Sequence, residues 1–176
     1  MTNFVYIATS LDGFIATIDG GLDWLDEIPN PAQSDFGYAE FIAGIDAIVM
    51  GRNTFETVLT FGVWPYDVPV FVLSNSLSTI PERLLGKVEI VSGDLRKLVE
   101  QLNEMEYRNL YIDGGKTIQS FLEDDLIDEM IITRVPVLLG DGIPLFGKLT
   151  EQRKFDHQGT ETFNNVLVKS HYTRSR

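Results

Sequence analysis

The 176-residue sequence contains no cysteine and only two histidines, His157 and His171. Without cysteine the chain cannot form a disulfide, a cysteine–zinc centre or a thiol nucleophile. Two histidines leave little for a histidine-based metal site or a Ser-His-Asp triad. The composition therefore predicts a protein that works without a bound metal.

Positive charge is also scarce, because 14 Lys and Arg stand against 26 Asp and Glu and give a net charge of −12. A nucleic-acid backbone is bound by a cationic surface, so this charge argues against a nucleic-acid partner. A small phosphorylated ligand held by one or two cations remains compatible with it. The sequence has no run of about 18 apolar residues for a membrane span, and segment 1–4 lacks the basic region of a signal peptide. We therefore expect a cytoplasmic protein that binds neither nucleic acid nor membrane.

Apolar segments of strand length alternate with segments of helical periodicity over most of the chain. The pattern predicts strands at 4–9, 46–50, 68–74, 87–91, 109–113 and 127–135, and helices at 36–44, from about 53, at 94–105 and from 115 to about 122. From Lys154 onward, two alternating segments flank Asn164 and Asn165, which is typical of an antiparallel hairpin. We therefore expect one α/β domain over residues 1–176. It would have a mostly parallel central sheet flanked by helices, and a C-terminal antiparallel hairpin.

Ligands of such sheets bind beyond the carboxyl ends of the strands, and segment 51–54 lies at one of these ends. A local interpretation is that Asn53 caps the next helix and Glu56, three residues on, completes a capping box. That interpretation leaves Arg52 unexplained, because an arginine at a helix N-terminus opposes the helix dipole. A phosphate bound there would satisfy both the arginine and the free N–H groups of the helix.

Two further strand ends carry residues suited to a phosphate. Gly114 and Gly115 allow close approach of the backbone to a ligand, and the alternative is a tight turn with Asp113 as helix N-cap. Segment 74–76 ends another strand with serine and asparagine side chains, although these residues are common in any loop.

Taken in order, these segments resemble the motifs of dihydrofolate reductases. Segment 50–54 resembles their Met-Gly-Arg-x-Thr motif, 73–76 their adenosine-phosphate loop, and 114–118 their Gly-Gly-x-x-Ile/Val motif. Segments 7–16 and 138–146 are more similar to the reductase domain of bacterial riboflavin biosynthesis. The resemblance extends from about residue 4 to residue 173. It identifies the chain as a dihydrofolate-reductase-like protein of the superfamily that contains the riboflavin reductase domain.

This resemblance implies an NADPH-dependent reductase. Arg52 would contact the 2′-phosphate or the pyrophosphate region, segment 74–76 would lie on the adenosine side, and loop 10–21 would cover the nicotinamide. The residues implied to bind NADPH are Ala8, Ile15, Gly51, Arg52, Asn53, Thr54, Ser74, Asn75, Ser76, Gly114, Gly115, Lys116 and Thr117.

The same resemblance implies hydride transfer to a pyrimidine- or pteridine-like substrate, as in the reduction of 5-amino-6-(5-phosphoribosylamino)uracil. Two acids are candidates for the proton donor. Asp35 falls where dihydrofolate reductases carry their pterin-binding acid, and Asp12 lies near the expected nicotinamide. The local alternatives are a helix-capping role for Asp35 and a turn role for Asp12.

Two other functions stay open, namely dihydrofolate reduction and nucleotide binding without turnover. Segment 53–82 contains no Lys or Arg to pair with the glutamate carboxylate of folate, which argues against a tight folate site.

The resemblance implies two further structural features. One is a homodimer that associates through the sheet edge, with the apolar segment 143–149 nearby. The other is a cis or otherwise glycine-only conformation at Gly114–Gly115, with a methyl group at position 115 pointing toward the cofactor.

Overall fold

A computed structural model describes the whole chain, residues 1–176. Its helices and strands are, in order, β1 (Thr2–Thr9), β2 (Phe14–Ala16), α1 (Asp23–Asp26), α2 (Tyr38–Ala43), β3 (Ala47–Gly51), α3 (Arg52–Leu59), β4 (Val70–Leu73), β5 (Val88–Val91), α4 (Leu95–Glu104), β6 (Asn109–Asp113), α5 (Gly115–Glu123), β7 (Glu129–Arg134), β8 (Ile143–Pro144), β9 (Phe155–Phe163) and β10 (Leu167–Arg174). No helix is both long enough and apolar enough to cross a membrane.

Eight of the strands form one sheet in the order β5-β4-β3-β6-β1-β7-β10-β9. The first six strands pair in parallel, whereas β10 pairs antiparallel with both β7 and β9. Asn164 and Asn165 turn the chain between β9 and β10 with φ angles of +52° and +53°, as a tight hairpin turn requires. The predicted mostly parallel sheet with a C-terminal hairpin is therefore confirmed.

Strand β3 is buried on both faces, which explains its continuous apolar sequence. Ala47 and Val49 belong to a core cluster that includes residues of α4 and α5. Ile48 and Met50 point to the other face, where Phe55 of α3 belongs to the same cluster. The helices on the two faces thus share one central strand, and this strand fixes where α3 begins.

Helix α4 follows its sequence pattern. The Asp94 carboxylate accepts the N–H of Lys97 at 3.0 Å and caps the helix. Leu95, Leu98 and Leu102 form its buried stripe. Both the apolar stripe and the cap of α4 could be predicted from the sequence, because each depends on residues only a few positions apart.

A small second sheet and one short helix were not predicted. In the sheet, β2 pairs antiparallel with β8, and Phe14 lies opposite Pro144. These strands contain three and two residues, and α1 contains four. Segments this short carry no usable periodicity. Their effect is to attach loop 10–21 to the distant segment 138–146.

Strands β1 and β6 separate toward their carboxyl ends. Their pairing runs only to Phe4 opposite Tyr111, while β1 continues along β7 as far as Thr9. Beyond this point the Tyr111 hydroxyl donates a hydrogen bond to the Tyr6 carbonyl oxygen at 2.9 Å. The split between the two strands opens the sheet at the edge where α3 and α5 begin.

The first turns of α3 and α5 are in direct contact. Strands β3 and β6 are neighbours with Met50 opposite Asp113, so the helices that follow them begin at the same level. A Cβ atom at Gly114 would collide with the Thr54 side chain, and one at Gly51 would lie 2.8 Å from Thr117 Oγ1. No peptide bond is cis, and Gly114 has φ +93°, a glycine-favouring conformation. The cis geometry is therefore absent, and the predicted glycine-only alternative occurs at Gly114.

Gly114→Ala should lower the free energy of unfolding by more than Gly140→Ala does. Both glycines have positive φ, +93° and +76°, which costs an L-residue roughly 1–2 kcal/mol. Only at Gly114 does the added methyl also meet another side chain, because nothing lies within 4 Å of a Cβ at Gly140. Urea unfolding at equilibrium measures both losses. Equal losses would contradict the close approach of the two helices.

Candidate functional site

An open cleft of about 1440 Å³ lies at the carboxyl ends of the parallel strands. Pockets for one drug-sized ligand measure about 300–1,000 Å³, so this cleft has room for a dinucleotide and a second small molecule. All 13 residues that were expected to bind NADPH line it. The structure thus brings together residues that are spread from Ala8 to Thr117 in the sequence. Their binding of a cofactor stays a prediction.

The phosphate end of the cleft is defined here as the first turns of α3 and α5 together with loop 74–76. Gly51 and Gly114 are the N-cap residues of the two helices, and no side chain caps either N-terminus. The capping box of Asn53 and Glu56 is therefore wrong, and Glu56 pairs instead with Arg52 at 3.5 Å. Uncapped N–H groups at two adjoining helix N-termini form an environment suited to an anion.

Arg52 joins the two sides of the phosphate end. Its Nη1 donates a hydrogen bond to Ser76 Oγ at 3.1 Å. Ser74 shapes the loop, because its Oγ accepts the N–H groups of Ser76 at 3.2 Å and Leu77 at 3.0 Å. Lys116 is exposed in the first turn of α5 and adds a second cation. Two cations, several hydroxyls and free N–H groups therefore face the same space.

Ile15 of β2 is in contact with Gly115 at the start of α5. A Cβ atom at Gly115 would lie 2.8 Å from Ile15 Cδ1 and 3.4 Å from Ile143 Cγ2. A methyl group at position 115 is therefore directed at two side chains that line the cleft, and its effect on cofactor binding stays a prediction. That methyl would strike the side chains of β2 and β8, which cover the start of α5.

Asp12 lies outside the cleft and has a structural position. Its carboxylate accepts hydrogen bonds from Ser10 Oγ at 2.6 Å, from the Gly140 N–H at 2.8 Å and from the Leu139 N–H at 3.2 Å. The Ser10 hydroxyl and these two N–H groups hold the pKa of Asp12 below its usual value. Asp12 thus ties loop 10–21 to segment 138–146, and its predicted role as a proton donor does not fit this position.

Asp35 also lies outside the cleft. Its carboxylate accepts the N–H groups of Ala39 at 2.8 Å and Gly37 at 3.0 Å, at the start of α2. These bonds, that of Ala39 first, lower the pKa of Asp35. The helix-capping alternative is the one that the structure favours, and the predicted catalytic role of Asp35 is not supported.

Asp113 is the cleft acid that the sequence did not single out for chemistry. It ends β6 directly before Gly114, whose N–H donates to its Oδ1 at 2.8 Å. Burial raises the pKa of Asp113 from 3.8 to about 6, although the hydrogen bond from the Gly114 N–H opposes the rise. The sequence pattern here is an acid before two glycines at a strand end, and this pattern predicts a helix cap rather than a catalytic acid. Burial, which decides its chemistry, depends on distant segments.

Three tyrosines also line the cleft, namely Tyr6, Tyr66 and Tyr111, and the last two lie close to Asp113. All three pack with the core cluster on the face of the sheet that α3 covers, Tyr6 from β1, Tyr111 from β6 and Tyr66 from the segment between α3 and β4. The Tyr6 hydroxyl donates to the Phe36 carbonyl at 3.0 Å. Burial raises the pKa of Tyr6 to about 12 and that of Tyr66 further still, so both phenols stay neutral near pH 7. We call Asp113 and these tyrosines the phenolic wall. It offers flat rings to a ligand, while the Tyr6 and Tyr111 hydroxyls already donate to backbone carbonyls.

Comparisons with known proteins place the chain in a family. The model of the RibD C-terminal domain family matches residues 4–169. The chain is 38% identical over 174 residues to the uncharacterized protein YwjB of Bacillus subtilis, and the match covers 97% of both proteins. It also matches the crystal structure of a protein from Shewanella sp. PV-4 that is provisionally assigned to riboflavin biosynthesis. That match has a TM-score of 0.97, 48% identity and full coverage of both chains.

Two more distant structures share the fold. One is the Thermotoga maritima diaminohydroxyphosphoribosylaminopyrimidine deaminase/5-amino-6-(5-phosphoribosylamino)uracil reductase, with a TM-score of 0.74 and 16% identity over 99% of this chain and 56% of that one. The other is the dihydrofolate reductase of Enterococcus faecalis complexed with NADP(H), with a TM-score of 0.69 and 16% identity over 99% and 97%. The predicted dihydrofolate-reductase-like fold is confirmed. The chain belongs to the RibD C-terminal domain family.

Proposed function

We propose that this protein is an NADPH-dependent reductase that transfers hydride to a C=N or C=O carbon of a pyrimidine- or pteridine-like substrate. The observation that carries the proposal is the meeting of two uncapped helix N-termini with Arg52 and Ser76 in one cleft. The family supports the reaction class, and so does the fold shared with a protein named as a uracil-derivative reductase and with a dihydrofolate reductase that binds NADP(H).

The residues of the phosphate end fit the chemistry of the cofactor. The free N–H groups of α3 and α5 would hold the pyrophosphate, and Arg52 with Ser74 and Ser76 would hold the 2′-phosphate. When bound, NADPH supplies the hydride. Loop 10–21 would keep water from the nicotinamide, because its attachment through β2 and Asp12 holds Ile15 over Gly115.

Asp113 is our candidate for the proton donor. Reduction of a C=N bond adds hydride to the carbon and requires a proton at the nitrogen. A general acid is most efficient when its pKa lies near the working pH, and burial raises the pKa of Asp113 to about 6. Of the three acids that line the cleft, Asp19 and Glu56 are exposed, and only Asp113 lies among the tyrosines.

Spectroscopy of NADPH tests the proposal as a whole. Addition of NADPH should change its fluorescence, and its absorbance should fall when a reduced-pterin or aminouracil substrate is added. Binding without oxidation by any such substrate would favour the alternative of a nucleotide-binding module. Absence of NADPH binding would overturn the proposal.

Arg52→Ala should weaken the binding of NADPH by about 1.5–3 kcal/mol, because a hydrogen bond to a charged group is lost. The affinity for NADH, which lacks the 2′-phosphate, should change much less. Arg83→Ala is a matched control, since it removes an exposed cation that does not line the cleft. Fluorescence titration measures all the affinities. Equal affinity for the two cofactors, unchanged in the Arg52 variant, would reject the assignment of this residue.

Asp113→Asn should slow turnover and change its pH dependence. In the wild-type protein kcat/KM should fall as pH rises through about 6, where Asp113 loses its proton. The variant should turn over slowly, and its kcat/KM should not fall as the pH rises through about 6. Asp19→Asn makes the same change at an exposed acid of the same cleft, one whose pKa is lowered by Thr17, and should keep the profile. An unchanged profile in the Asp113 variant would contradict the role.

The same group should affect stability with a defined sign. The folded-state pKa of about 6 lies above the unfolded value of 3.8, so the folded protein binds the proton more tightly. The stabilisation that the protonated Asp113 contributes to the folded state is therefore present below pH 3.8, and it is lost as the pH rises through about 6. At pH values well above 6, Asp113→Asn should have a higher Tm than the wild-type protein. This difference in Tm should shrink or reverse below pH 3.8.

We also propose that the protein is a cytoplasmic homodimer. Segment 138–149 exposes Leu138, Phe146 and Leu149 by 68%, 51% and 41%, an apolar group that contact would cover. Light scattering should give about 40 kDa, twice the 19.8 kDa of one chain. Phe146→Glu should shift the mass toward one chain. A wild-type protein with the mass of one chain would reject the dimer.

A further inference from the structure

We propose that the substrate of this protein is an uncharged heterocycle without a phosphate group, and that the cleft selects against anionic substrates. This inference rests on the proposed function and specifies the substrate of the same site. The observation behind it is the distribution of charge between the two parts of the cleft.

Positive charge in the cleft is confined to the phosphate end. Arg52 and Lys116 are the only cations that line the cleft, and both lie in the first turns of helices. Arg52 is further engaged by Ser76 at 3.1 Å and Glu56 at 3.5 Å. Once a dinucleotide occupies this end, its phosphates neutralise both cations. Nothing positive then remains for a second anion.

Outside the phosphate end, no cation lines the cleft. The charged residues there are the acids Asp113 and Asp19, and Glu56 lines the cleft beside Arg52. An anionic group placed here would lose its hydration beside an acid and gain no opposite charge, which is strongly unfavourable. The same surroundings suit a neutral ring, because Asp113 can exchange hydrogen bonds with ring nitrogens.

Lys169 cannot supply the missing charge. Its Nζ lies 2.9 Å from Glu161 and donates to the Phe36 carbonyl at 3.2 Å. The hydroxyl of Tyr6 donates to the same carbonyl oxygen, and that carbonyl belongs to Phe36, which does not line the cleft. Lys169 does not line the cleft, and its charge is already paired.

Exposed apolar side chains in the cleft also favour an uncharged substrate. Ile18 and Phe61 line the cleft and are 74% and 57% exposed. They come from loop 10–21 and from the segment after α3, and they offer surface to a flat ring. The Thermotoga maritima protein of the same fold is named for a substrate that carries a phosphoribosyl group. The cleft of this chain lacks a cation for that phosphate, so we assign it a different substrate.

Matched pairs of compounds test this inference. One pair is 5-amino-6-(5-phosphoribosylamino)uracil and its dephosphorylated form. The other is dihydrofolate and dihydrobiopterin, which share a reduced pterin ring, whereas only dihydrofolate carries a p-aminobenzoyl group with glutamate carboxylates. Calorimetry with the NADP⁺-loaded protein should show the uncharged member of each pair binding about tenfold tighter or more. Equal or tighter binding of the charged members would overturn the proposal.

Phe61→Lys and Phe61→Gln test the physical cause. Both variants remove an exposed ring, so changes in stacking cancel when the affinity of the charged member is divided by that of the uncharged member. This ratio should rise about tenfold for the lysine variant and stay unchanged for the glutamine variant. An unchanged ratio in the lysine variant would show that charge does not set the selectivity and would overturn the proposal.

The cofactor experiment separates this inference from the proposed function. A protein that binds NADPH but neither member of either pair would overturn the substrate class alone. A protein that does not bind NADPH would overturn the proposed function itself.

Discussion

The contact between the first turns of α3 and α5 is the constraint on which the cleft depends. Each helix presents a glycine at its N-cap and a threonine in its first turn, so that Gly51 faces Thr117 and Gly114 faces Thr54. Larger residues at the glycine positions would push the helices apart. Because β3 and β6 are paired neighbours, the two uncapped N-termini open into the same space. Two helix dipoles thus act on one ligand site.

The cleft divides into two parts of opposite charge. The phosphate end gathers Arg52, Lys116 and the free N–H groups, whereas the phenolic wall contains Asp113 and three neutral tyrosines. Asp113 lies at the boundary because it ends β6 and directly precedes the N-cap of α5. In a protein with a net charge of −12, such a division would orient a dinucleotide with its phosphates at one end. It would also favour a neutral partner at the other.

Features that depend on neighbouring residues could be predicted from the sequence. The apolar run of β3, the stripe and cap of α4, and the strand–glycine–helix order at residues 51 and 114 are of this kind. Functions of individual acids could not be predicted, because they depend on partners far along the chain. Asp12 is held by the N–H groups of Leu139 and Gly140, and Asp113 lies close to Tyr38 and Tyr66 from distant segments as well as to its strand neighbour Tyr111. The strand β8 could not be predicted either, because two residues are too few to show a periodicity.

A titration with NADPH, followed through backbone amide chemical shifts, decides whether the two helix N-termini bind the pyrophosphate. We expect the largest shifts at the amides of residues 52–54 and 115–117, which form the uncapped first turns. The amides of Asn164 and Asn165, in the hairpin turn between β9 and β10, should not move. Binding that leaves both first turns unshifted, or no binding at all, would contradict the site described here.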